Sequence, residues 1–70
     1  MDAMQQVVNL IGQDEFISLL MELPDAYFAL GQGEKDRVWQ ELLKACNRGT
    51  PIADLAKVAE VFVKVLIPME

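Results

Sequence analysis

Apolar residues recur along this chain at intervals of three and four, the spacing of one helical face, from near its start almost to its end. Met4, Val7, Val8 and Leu10 or Ile11 fit one such face, Asp2 and Gln5 stand where a capping pair would, and Gly12 is placed as a stop. A first helix is expected over residues 2–11. Asp14 and Glu15 open a second segment that carries Phe16, Ile17, Leu19, Leu20 and Leu23. It must end or kink at Pro24, whose ring cannot occupy a helix interior. One or two turns follow over Asp25–Leu30, closed by Gly31-Gln32-Gly33, a flexible joint.

The clearest helix spans Glu34 to Asn47. Val38, Trp39, Leu42, Leu43 and Cys46 form one stripe, and Glu34, Lys35, Asp36, Arg37, Gln40, Glu41 and Lys44 lie largely on the other side. Arg48 sits near its carbonyl end, where positive charge is favourable, and Gly49 supplies the left-handed conformation that commonly ends a helix. Thr50-Pro51 then reads as an N-cap followed by proline at the first helical position, opening a last helix that runs from Pro51 to about Ile67 and stops at Pro68. Its charged residues, Asp54, Lys57, Glu60 and Lys64, are confined to roughly one third of the circumference at about 100° per residue. The apolar remainder is wider than the stripe of a little over 100° that a two-layer packing uses. This helix is therefore expected either at the centre of the bundle or shared with another chain, with a ligand or membrane face as a third reading.

Val61, Val63, Val65 and Ile67 also alternate as a strand would, and β-branched residues favour strands. No second strand-like run exists to pair with them inside the chain, so a strand would need a neighbouring molecule. Helix is the expectation. The resulting fold class is all-α: one domain over residues 1–70, an orthogonal or up-down bundle of four to five short helices that self-associates.

Composition supports association. Hydrophobic residues make up 53% of 70 positions, while a chain this short buries only about 60% of its unfolded surface. Twelve of the sixteen residues at 52–67 are apolar, which locates the surplus in the last helix. A symmetric homodimer through Val58, Val61, Phe62, Val65 and Leu66 is expected from it.

Charge is unevenly spread. The net charge is −5, and residues 1–34 hold Asp2, Asp14, Glu15, Glu22, Asp25 and Glu34 without one Lys or Arg. The acids are read either as solvated faces and first-turn residues or as a face for a basic partner, another protein or the basic half of a neighbouring copy. The balance disfavours nucleic acid and anionic lipid. One cysteine, Cys46, forms no internal disulfide, and no basic stretch precedes an apolar run near the start, so a cytoplasmic setting without membrane anchorage is expected.

Catalytic chemistry finds little support. Histidine is absent, which removes the usual proton carrier near neutral pH and the commonest metal ligand. Ser18 has no visible base, Cys46 lies on an apolar stripe, and Asp14 and Glu15 diverge by about 100° as helical neighbours. Gly31-Gln32-Gly33 lacks the third glycine and preceding strand of a dinucleotide site. No enzyme, cofactor or metal is expected. Residues 41–60 resemble a helix-turn-helix outline, with Ala45 and Gly49 four apart and Leu55 and Val58 at inward sites. Lys44 and Arg48 depart from it, and Pro51-Ile52-Ala53-Asp54 offers little to base edges. The expected function is a non-enzymatic protein–protein interaction module, an adaptor, inhibitor or regulatory subunit acting through an acidic, apolar-edged surface. Glu22, Asp25 and Tyr27 are its candidate partner contacts, with Phe28 in the core. A DNA-binding regulator or a structural subunit of a larger assembly is the alternative.

Overall fold

Asp2 begins the fold by capping: its carboxylate accepts from the Gln5 backbone N–H at 2.8 Å, satisfying one of the donors every helix start leaves open. The computed structural model describes residues 2–66. Five helices follow one another, α1 Ala3–Ile11, α2 Gln13–Glu22, α3 Asp25–Phe28, α4 Gln32–Asn47 and α5 Ile52–Leu66, with no strand among the described residues. The all-α bundle expected from spacing is the fold found. Val61, Val63 and Val65 are helical, and the expected end at Ile67 and Pro68 lies outside the described residues.

Two glycines make the tight connections possible. Gly12 alone joins α1 to α2, at φ 90° and ψ 160°, a region essentially closed to side-chain-bearing residues. Gly49, at φ 81°, closes α4 with paired reversed bonds: its N–H donates to the Cys46 carbonyl at 3.0 Å and the Thr50 N–H to the Ala45 carbonyl at 3.1 Å, a Schellman ending. A Cβ at either glycine would meet nothing within 4 Å, so substitution is resisted by backbone conformation alone. Gly49→Ala is expected to cost about 1–2 kcal/mol and Gly12→Ala about 1–3 kcal/mol. Thermal unfolding followed by circular dichroism measures both; an unchanged melting temperature for the Gly12 variant would contradict this connection.

Gly33 behaves differently from expectation. It lies inside the first turn of α4, and Gly31 is the N-cap, in extended conformation at φ −70°. First-turn N–H groups lack intrahelical partners anyway, so glycine is tolerated there and the helix starts two residues before Glu34.

The longer helices close a ring, α4 against α1 and α5, α1 against α2, and α2 against α5, with α3 leaning on α5. Val7, Leu19, Val38, Leu42 and Leu55 are fully buried inside it, joined by Ala45, Ala59 and Val63. The most extensive packing belongs to α4 rather than α5. Its Trp39 ring lies 5.4 Å from Phe16 of α2 and 6.2 Å from Tyr27 of α3, and its indole N–H donates to the Tyr27 hydroxyl.

Candidate interaction surfaces

The apolar arc of α5 divides into two parts. Leu55, Ala59 and Val63 turn into the core with Ile52 and Ala56 beside them, while Val61 and Val65 remain 63% and 71% exposed. Val58 and Phe62, half-buried, complete a row at positions i, i+3, i+4 and i+7. Val58, Val61 and Phe62 line a shallow groove of about 390 Å³ between α5 and α4, with Glu41 and Lys57 at its edges. Four of the expected self-association residues thus form one stripe. Leu66, the fifth, is half-buried against the core. On the polar side of α5, Lys64 bridges Glu60 at 3.2 Å, a solvated pair worth only a few tenths of a kcal/mol.

The expected partner contacts separate. Glu22 ends α2 and Asp25 opens α3, both exposed, but Tyr27 is buried and Phe28 is 54% exposed. The roles anticipated for the two rings are reversed. Adjacent helical side chains diverge by about 100°, so only one can face inward; Tyr27 does, because Trp39 offers its hydroxyl a donor there. Burial pushes the Tyr27 phenol up, and the Trp39 hydrogen bond partly opposes that shift. The ammonium of Lys35 lies 5.6 Å over the Tyr27 ring.

A recess of about 250 Å³ opens beside this pair, rimmed by Asp2, Met4, Gln32, Lys35 and Asp36. Its charged groups are already engaged: Asp2 caps α1, Asp36 accepts from Gln40 at 2.9 Å, and Lys35 covers the ring. Cys46 is half-buried, and burial pushes its thiol up, away from the thiolate form a nucleophile needs. Among the described residues no group of three or more Cys, Asp or Glu could hold a metal ion, and no helix is long and apolar enough to cross a membrane.

In the α4–α5 hairpin, Ala45 and Leu55 are buried, as a helix-turn-helix needs. Lys44 and Arg48 are exposed, and Lys44 bridges Glu41 at 3.1 Å. The first turn of α5 presents the carboxylate of Asp54, which repels phosphate.

A second apolar surface lies on α2. Leu19 is buried and Phe16 and Leu20 pack beside it, whereas Ile17 is 50% and Met21 82% exposed. Asp14, Glu15 and Glu22 stand around them, also exposed. Sequence reading counted Ile17 among the apolar residues of this segment without assigning it a side; its displacement by about 100° from Phe16 and about 160° from Leu19 was the available signal. Comparison with known protein families, curated proteins and solved structures finds no match.

Proposed function

We propose that this chain is a non-enzymatic protein–protein interaction module that pairs with a second copy of itself through the outer stripe of α5. The observation that carries this reading is the exposure of Val61 and Val65, 63% and 71%, in one row with Val58 and Phe62. The fold does not use Val61 and Val65 for its own core, which Leu55, Ala59 and Val63 fill, while Val58 and Phe62 are half-buried against it. Fully burying a valine is worth about 1.5–3 kcal/mol, and a twofold contact buries each residue twice. The reading places the protein in the cytoplasm, where a lone half-buried thiol stays reduced.

Sedimentation equilibrium at tens of micromolar tests it. The unmodified protein is expected as a dimer, and the double variant Val61→Asp, Val65→Asp as a monomer with unchanged helical circular dichroism, because neither side chain supports the core. A monomer throughout the concentration range for the unmodified protein overturns self-association.

A further inference from the structure

We infer that the outer face of α2 is a docking surface for a basic amphipathic helix of another protein. On this helix Asp14, Ile17 and Met21 form one row at i, i+3 and i+7, and Glu15, Ser18 and Glu22 lie along its side. The row points away from Leu19 and its core neighbours, and all six residues are exposed. A short apolar ridge, Ile17 and Met21, therefore has Asp14 at its N-terminal end and Glu15 and Glu22 along one side, with no lysine or arginine in α2 or anywhere in residues 1–34.

What sets α2 apart from α4 and α5 is that it carries no base of its own beside its acids. On α4 and α5, Glu41 and Glu60 pair with bases one turn away, Lys44 and Lys64, whereas Glu34, Asp36 and Asp54 have no ion pair among the described residues. Asp14, Glu15 and Glu22 have no ion-pair partner among the described residues. Glu22, moreover, occupies the last turn of α2, where no base offsets it and a negative charge opposes the helix dipole. It weakens the helix that carries it, and a cation supplied from outside would reverse that effect.

The complement of this face is a helix with apolar residues at i, i+3, i+4 and i+7 bordered by lysine or arginine, laid against the Ile17–Met21 ridge. A second copy fits badly, since a twofold contact here would set α2 against α2 and bring like charges together. Phosphate backbones and anionic lipid are repelled by the same carboxylates. The inference rests on the reading of the chain as an interaction module but not on its self-association.

The probe is a synthetic helical peptide with leucine at those four spacings and lysine elsewhere, titrated into the isotope-labelled full chain and followed by amide chemical shifts. Controls are a scrambled Leu/Lys peptide and a Leu/Glu peptide of the original spacing. Saturable changes centred on Gln13–Glu22 are expected, lost as salt rises. Binding should weaken about tenfold or more, which is 1.4 kcal/mol or more, with the scrambled peptide, with Met21→Ser, and with the triple variant Asp14→Asn, Glu15→Gln, Glu22→Gln. Glu22→Lys separates folding from binding: it should raise the melting temperature, by removing the unfavourable charge at the helix end, and weaken the peptide. The Val61→Asp, Val65→Asp variant should bind as the parent does. Shifts centred on α5, equal binding of the scrambled or Leu/Glu peptide, or indifference to the α2 variants would each overturn the inference. If the parent is monomeric yet binds the peptide at α2, self-association falls and this surface stands.

Discussion

Leu42→Ala is expected to remove a large share of the protein's stability. Leu42 has no exposed surface and lies midway along α4, the helix packed against both α1 and α5. Truncating a buried leucine costs about 2–5 kcal/mol, because the lost transfer energy is joined by that of a cavity its neighbours only partly fill. At about 0.05–0.15 kcal/mol per residue, a chain of this length has in all about 3.5–10 kcal/mol. The melting temperature should fall about 4–8 °C for each kcal/mol lost, so the variant should melt far below the parent or fail to fold cooperatively. Leu43→Ala provides the contrast. Its side chain is half-buried at the edge of a shallow depression with Gln6, Asn9, Leu10 and Asn47, so its loss opens a smaller cavity. Urea unfolding of both variants checks the argument, and equal losses would mean that the ring of helices does not centre on Leu42.

The helix ends were legible because the residues that set them act locally. Asp2 caps α1, Gly12 and Gly49 adopt conformations denied to other residues, and Pro24 stands as the N-cap of α3 after α2 has ended. None of these depends on what packs against the helix. Which side faces inward was less legible. In α1, a period near 3.6 admits the row Met4, Val7, Val8, Ile11 and also the row Ala3, Val7, Ile11. The second is the buried one, leaving Met4 41% exposed, and alanine is too small to mark a core position in the sequence. Ala59 escaped notice for the same reason, although it is fully buried.

The candidate surfaces divide in the same way. The four charges of α5 have a fixed angular relation to one another, so the width of its apolar arc could be read directly. The packing of α2, α3 and α4 decides which part of that arc is covered: Val63 is 2% exposed and Val65 71%. On α2, Ile17 and Met21 are apolar like their inward neighbours, and only their angular position on the helix separates them. The acids around them were visible as composition, and their arrangement about an exposed ridge emerges from the fold.

Trp39→Ala should match or exceed the leucine truncation, at about 3–5 kcal/mol. The Trp39 side chain is 3% exposed, its ring touches Phe16 and Tyr27, and its N–H has the Tyr27 hydroxyl as acceptor. Losing it would empty the place where α2, α3 and α4 meet. Smaller changes separate ring burial from the hydrogen bond. Tyr27→Phe leaves a buried indole N–H without an acceptor, a loss of about 1–3 kcal/mol. Trp39→Phe removes the donor along with part of the ring area. With both replaced, no orphaned donor remains, so the double variant should lose less than the sum of the two single variants. Chemical denaturation of the four proteins closes the cycle. The parent and Tyr27→Phe can also be followed by fluorescence, because Trp39 is the chain's one tryptophan. Strict additivity would show that Tyr27 is held by ring packing alone. A coupling near 1 kcal/mol or more would show that the indole N–H is what turns Tyr27 inward and leaves Phe28 at the surface.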